Sequence, residues 1–214
     1  FLKPQPVSLI WGVGAQTKAS LDKAGIRTFS DLLRWEKIDL VARFGGMGER
    51  LYHLARGEDH RRISAHAPVK SISNETTFGE DTSSVDILDG HIWRLAENVA
   101  DRAKAKDKAG RVVNLKLKRA NHTVLSRQTS LSEPTQIADR IYRTARALFD
   151  QGGNEGPYRL IGVGISHLTK ADAAETGGDL LDPGAKGRAD AERASDKIRE
   201  RFGSDAIIKG RALR

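Results

Sequence analysis

The chain has no cysteine among its 214 residues. A disulfide framework, a thiolate metal site and a cysteine nucleophile are therefore excluded, and this usage suits a reducing compartment. Long apolar runs are missing too. No window approaches the roughly 18 residues of a membrane span, and nothing at the start has the basic, apolar and small-residue succession of a signal peptide. A cytoplasmic protein with no membrane contact is expected. An initiating methionine is also lacking, since Phe1 opens the sequence, so the expectation is that part of a longer protein lies upstream. Acidic residues are outnumbered: 36 Lys and Arg stand against 28 Asp and Glu, a net charge of +8. That balance favours a polyanionic partner, although charge kept for solubility gives the same sum.

What is present reads as two modules and a tail, with boundaries at residues 1–64, a linker at 65–68, 69–169 and 170–214. In the first module an apolar lead-in, Val7, Leu9 and Ile10, runs into Trp11-Gly12-Val13-Gly14, a tight hairpin signal. A helix is expected over 15–24, with Ala15, Ala19 and Leu21 on its buried side and Gly25 as its stop. Thr28, with Asp31 three residues on, caps the next short helix. Glycines at the hairpin let a backbone approach a phosphate, and the amides of the following helix point at the anion, with Lys18 and Lys23 nearby. The same glycines also suit a plain sharp turn between packed helices. A second element echoes the first. Leu40, Val41 and Phe44 lead into Gly45-Gly46-Met47-Gly48 and a helix that ends at Gly57. Gly46 and Gly48, with Arg43 and Arg50 close by, either grip a second phosphate or let two helices pack. Trp35, Met47, Tyr52 and Leu54 are read as core. His53, His60 and His66 lack the spacing of a metal site and are expected at the surface.

The second module opens on Lys70 to Phe78, an alternating stretch after Pro68 that reads as a strand. Leu88, Ile92, Leu95 and Val99 then mark a helix from 85 to 108 with Gly110 as its stop, and Trp93 beside that stripe is expected to be a partly buried anchor. Arg111 to Arg119 alternates cleanly, with Val113, Leu115 and Leu117 on one face and Asn114, Lys116 and Lys118 on the other. Those lysines would stand about 7 Å apart, a spacing that suits successive phosphates or equally a solvated sheet face. After an Asn121-His122 turn, Val124 to Leu131 returns as a strand carrying Arg127 and Thr129. Pro134 is expected in the first turn of a second helix, marked by Ile137, Ile141 and Leu148. The last strand, Leu160 to Leu168, sets Ile161, Val163 and Ile165 against Gly162, Gly164 and Ser166, a side-chain-poor face that lets another backbone come close.

The resulting order, βαββαβ, predicts an α+β chain. A small all-α helix-hairpin-helix domain comes first, then a split βαβ domain whose four-stranded antiparallel sheet carries two helices on one face. An RNA-recognition domain shares this order of elements but needs aromatic residues on its open face to stack bases, and this sequence offers Lys, Arg, Ser and Thr there. In the tail, 170–188 reads as a flexible linker. A helix follows over 189–202 with Ala194, Ile198 and Phe202 in register.

Three stretches resemble the C-terminal half of the Y family of DNA polymerases, the bacterial DNA polymerase IV group most of all. They are Ile10 to Gly14 with Thr17 and Leu21, Phe44 to Gly48 with the helix up to Gly57, and Lys70 to Phe78; the Arg159 to Leu168 strand adds to them. The resemblance implies that residues 1–64 are a thumb and residues 69–169 a little finger, holding primer-template DNA beside an error-tolerant active site. Carried over by position, Gly12, Val13 and Gly14 match the thumb's phosphate clamp. Lys70, Ser71, Ser73 and Thr77 match the first strand of the little finger, where Ser73 replaces a common glycine. Lys116, Lys118, Arg119, Arg127 and Thr129 match its basic hairpin. The family's catalytic carboxylates and their Mg²⁺ ions lie in a palm that precedes Phe1, so no catalytic residue, metal ligand or cofactor is expected here and the piece alone should be an inactive monomer. A sliding clamp is an implied partner, with Leu180 and Leu181 in the tail as a candidate contact that lacks the usual glutamine and aromatic. Two other readings stand beside this one: a polymerase-like accessory subunit that adapts DNA to the clamp, and an unrelated pairing of helix-hairpin-helix and RNA-recognition domains.

Overall fold

The computed structural model describes residues 1–62, 68–152, 155–171, 184–203, 206, 207 and 210. The chain divides into two compact units, Phe1–Ala67 and Pro68–Arg214.

Among the described residues the first unit holds a short 3-10 helix, Val7–Leu9, and four α-helices: α1 Ala15–Lys23, α2 Phe29–Leu33, α3 Lys37–Phe44 and α4 Gly46–Ala55. Thr28 and Asp31 form a reciprocal capping box at α2. The Thr28 hydroxyl accepts from the Asp31 amide at 3.2 Å, and the Asp31 carboxylate accepts from the Thr28 amide at 2.9 Å. Backbone amides of Arg27 and Thr28, with the Thr28 hydroxyl, hold the Asp31 pKa below its usual carboxylate value. The core gathers Val7, Ile10, Leu21, Ile26, Leu32, Leu40 and Leu51, with Trp35, Met47, Tyr52 and Leu54 packed on it. Of the residues expected inside α1, Leu21 alone is buried; Ala15 and Ala19 face solvent. A nine-residue helix against a small core has one contact line, and the larger side chain occupies it.

The second unit is a four-stranded sheet in the order β1-β4-β2-β3, with every neighbouring pair antiparallel. Its strands are β1 Ser71–Thr82, β2 Lys108–Arg119, β3 Val124–Thr135 and β4 Tyr158–Lys170. Helices α5, Val85–Ala105, and α6, Ala138–Asp150, cross between them and pack on one face. β1 and β2 run parallel with β4 between them, and β3 and β4 run parallel with β2 between them, giving two interleaved split βαβ units. Ile72, Val113, Leu115, Ile161, Val163 and Ile165 meet Leu88, Ile92, Ile141 and Phe149 in the core. Trp93, fully inside rather than at the margin, packs edge-on against Tyr142 at 5.0 Å.

Several boundaries differ from expectation: the last helix begins at Ala185, inside the stretch 170–188 expected as linker, and two residues change their part. Gly110 does not stop α5; the helix ends at Ala105, Asp107 takes φ +50°, and Gly110 lies inside β2. Its missing Cβ would fall 2.6 Å from Ile165 Cβ, so the glycine serves strand packing instead of helix termination. Pro134 is not a first-turn helix residue but part of β3, an edge strand, where a missing donor breaks no inner ladder.

The tail is the larger surprise. Helix α7, Ala185–Phe202, packs on the second unit, and its inner face is not the Ala194, Ile198 and Phe202 stripe, all of which are exposed. Ala189 is its one described buried apolar residue, and the rest of the docking is through charge. Glu192, only 4% exposed, accepts from the Ala138 amide at 2.8 Å and the Asp139 amide at 3.3 Å, capping α6, whose own N-cap Ile137 has no side-chain acceptor. Lys104 bridges Glu192 at 2.7 Å and Asp196 at 2.6 Å, and Arg188 reaches Asp139 at 2.7 Å. Burial disfavours the Lys104 ammonium, but these two carboxylates outweigh it and raise its pKa.

Candidate nucleic-acid interface

Because side chains alternate along a strand and directly paired residues share a face, the register assigns each residue to the helix side or the open side. Four rows cross this face of the sheet from β1 to β3: Ser71, Ser166, Val112, Ser130; then Ser73, Gly164, Asn114, Gln128; then Glu75, Gly162, Lys116, Ser126; then Thr77, Leu160, Lys118, Val124. No aromatic ring stands in them. The middle is almost bare, and a Cβ on Gly164 would lie 2.8 Å from Ser73 Cβ, and on Gly162 3.0 Å from Glu75 Cβ. β1 and β4 thus come too close for side chains at every place, which leaves a shallow groove walled by Asn114, Lys116, Ser126 and Gln128 on one side and Ser71, Ser73 and Glu75 on the other.

The sequence did not announce Glu75. Lys116 reaches across Gly162 to pair with its carboxylate at 2.7 Å, and both side chains remain about half exposed. A cation expected to face solvent is therefore already engaged by an anion on the same surface. The signal was there: Glu75 follows Ser71 and Ser73 at period two, so an open-face carboxylate was implied by the pattern that placed the serines.

Of the expected basic hairpin, the fold keeps Lys116 and Lys118 together and separates the rest. Arg127 pairs with Leu115, and Thr129 with Val113, so both belong to the helix side. The Arg127 guanidinium lies against Gly152 beyond the end of α6. Arg119 is held by an ion pair with Glu155. Lys70 precedes β1, exposed, while Ser71 and Thr77 stand on the open face beside Ser73. Lumping the hairpin's cations into one surface ignored the strand's own alternation.

In the first unit, Gly12 sits at φ +99°, which a side chain resists, and Gly14 caps α1 with open space around it. Between them Val13 is inward: its side chain is buried and its amide donates to Ile10 O at 2.9 Å. It anchors the hairpin instead of meeting a phosphate. Gly14 and the first turn of α1 carry the outward amides, with Lys18 exposed one turn on. Arg50 from α4 closes over this hairpin, donating to Trp11 O at 2.8 Å and lying 5.0 Å from the Trp11 ring, while Arg61 stands 5.7 Å from it on the chain beyond α4. Trp11 itself is 76% exposed. At the second element the two glycines part ways. Gly46 opens α4 with no atom near a Cβ position, whereas a Cβ on Gly48 would overlap Leu40 O at 1.9 Å. Gly48 is a helix-packing residue of α3 against α4.

The clamp candidates Leu180 and Leu181 lie outside the described residues, as does His66. Among the described residues, the one cluster with metal-ligand proximity is His53, Glu58 and His60. It offers a single carboxylate, which does not fit the carboxylate-held Mg²⁺ pair of polymerase chemistry.

Residues 69–180, just over half of the chain, match the model described as the impB/mucB/samB family C-terminal domain. The chain belongs to this family, the Y family of DNA polymerases. Residues 9–59 match the DNA polymerase-iota thumb domain, so the first unit is a thumb and the sheet domain a little finger. The chain is 42% identical to "DNA polymerase IV 1" of Mesorhizobium japonicum over 98% of its own length and 48% of that relative. Against "DNA polymerase IV" of Brucella melitensis the figures are 41%, 98% and 47%. It thus spans about half the length of the curated relatives it matches. A solved Y-family DNA polymerase chimera superposes with a TM-score of 0.54 over 79% of this chain and 49% of that one, at 17% identity, a likeness of fold.

Proposed function

We propose that this thumb and little finger are the DNA-holding portion of an error-prone translesion DNA polymerase, gripping template and primer backbones without regard to sequence. The open sheet face carries the reading. Its bare β4 glycines admit a nucleic-acid backbone, its lysines and hydroxyls supply phosphate donors, and it has no ring on which a base could stack. The capped hairpin at Gly14 with Lys18 supplies a second anion grip in the thumb. The catalytic carboxylates and Mg²⁺ belong to the remaining length of the polymerase, so the chain alone incorporates no nucleotide. A primer-extension assay on the purified chain tests that statement.

The binding itself is tested by fluorescence anisotropy with duplexes of unrelated sequence over 50 to 300 mM salt. Affinity should be equal across sequences and fall steeply with salt, because each phosphate contact releases counterions. Salt-independent binding would remove the reading. We further propose that Leu180 and Leu181 contact the sliding clamp. Retention of the Leu180→Ala, Leu181→Ala double variant in a clamp pull-down would withdraw that assignment.

A further inference from the structure

Helix α4 ends in a Schellman motif that brings together three ligand-bearing side chains remote from the sheet's lysines in sequence. Arg56 is the last partly helical residue and Gly57 turns the chain at φ +78°. The Glu58 amide then donates to His53 O at 3.0 Å and the Gly57 amide to Leu54 O at 3.1 Å, the two crossed bonds of that motif. Such a motif sets the side chains three before and two after the cap against each other, and in most helices they are apolar. Here they are His53 and Glu58. His53 Nδ1 lies 2.8 Å from Glu58 Oε2. Two residues further on the chain brings His60 to the same carboxylate, its Nε2 3.7 Å from the same oxygen and its ring edge-on to His53 at 5.5 Å.

We propose that His53, Glu58 and His60 form a binding site for a zinc-class divalent cation. One ligand atom from each residue lies within 4.8 Å of the others. Tetrahedral zinc with imidazole and carboxylate ligands holds them about 3.3 Å apart. The observed 2.8 and 3.7 Å from the two imidazoles to the shared carboxylate oxygen straddle that spacing. Two imidazoles and one carboxylate select zinc, cobalt, nickel or copper over magnesium or calcium. The site stands on a rigid frame: the motif's hydrogen bonds hold one half, Tyr52 packs edge-on to His53 at 5.4 Å, and the neighbouring turn is pinned by a two-pronged Arg61 to Asp59 pair at 2.8 and 2.6 Å. All three side chains reach solvent, so one coordination position is left for water, and the bound ion would staple the end of α4 to the segment that follows it.

The test is a calorimetric titration of Zn²⁺ into the untagged chain, with Co²⁺ absorption as a second readout that needs no variant. The expected result is one saturable site per chain and visible Co²⁺ bands of a nitrogen- and oxygen-ligated ion. His53→Ala and His60→Ala, each confirmed as folded by circular dichroism, should lower the affinity at least tenfold, while His122→Ala and His167→Ala leave it unchanged. No stoichiometric site in the wild-type chain would overturn the proposal. So would equal binding by a His53→Ala, His60→Ala double variant. Displacement by millimolar Mg²⁺ would overturn the assignment to a zinc-class ion.

Discussion

Glu75 places a negative charge on the sheet face that also carries Lys116 and Lys118. Its exposed pair with Lys116 contributes little to folding, typically about 0–1 kcal/mol, so its weight falls on whatever anion approaches. Glu75→Gln should therefore leave stability nearly unchanged and tighten DNA binding about two- to fivefold near 100 mM salt, by removing a repulsion and freeing an ammonium. Anisotropy titrations check this, and weaker binding by the variant would mean that Glu75 positions Lys116 for its contact. Lys116→Ala with Lys118→Ala should lower the slope of log affinity against log salt by up to about two. The alternation in Arg111 to Arg119 placed these two lysines correctly, because a single strand decides which of its own residues share a face. Arg127 and Thr129 fall on the other face for a related reason: which face of one strand aligns with which face of its neighbour depends on register, set here by a three-residue loop at 120–122 whose geometry composition does not print.

The helix caps divide into local and imported ones. The capping box of Thr28 and Asp31 is local and was readable from four residues. Since the folded-state pKa of Asp31 is depressed, its stabilising effect is complete above the unfolded value near 3.9 and is lost as pH falls through the lower folded value. Asp31→Asn should accordingly flatten the thumb's acid-unfolding profile below about pH 4, followed by circular dichroism. The cap of α6 is imported from α7. Glu192→Gln removes a buried carboxylate that serves two amides and Lys104, which should cost about 1–3 kcal/mol in urea unfolding and expose α7 to proteases. Apolar periodicity could not find this contact. Arg188, Glu192, Asp196 and Arg199 recur at helical spacing, but a charged stripe reads as a solvated face until a partner is placed against it.

At the scale of the molecule, each unit has its own core, so each can lose its packing separately. Calorimetry should resolve two transitions. Gly48→Ala, which drives a methyl into Leu40 O, should lower the thumb transition alone, by an amount equivalent to about 1–3 kcal/mol. A shift of both transitions would mean that the units unfold as one. The βαββαβ order, the amphipathic helices and the motifs of the thumb and first strand were legible in the sequence because each is a short-range pattern: period two, period 3.6, or a glycine at a turn. Fold class followed from these, while the family rested on the resemblance of the Ile10 to Gly14, Phe44 to Gly48 and Lys70 to Phe78 stretches, and the matched family model shows it. Only tertiary structure decided which strands lie at the centre, which glycine packs a helix and which opens one, that Glu75 answers Lys116 across Gly162, and that a histidine at the end of α4 meets Glu58 and His60. The strand order, the packing of the glycines and the Glu75–Lys116 pair depend on where distant stretches of backbone come to rest, which is set by the packing of whole elements, while the histidine cluster depends on the exact backbone path of one helix end, which composition does not print.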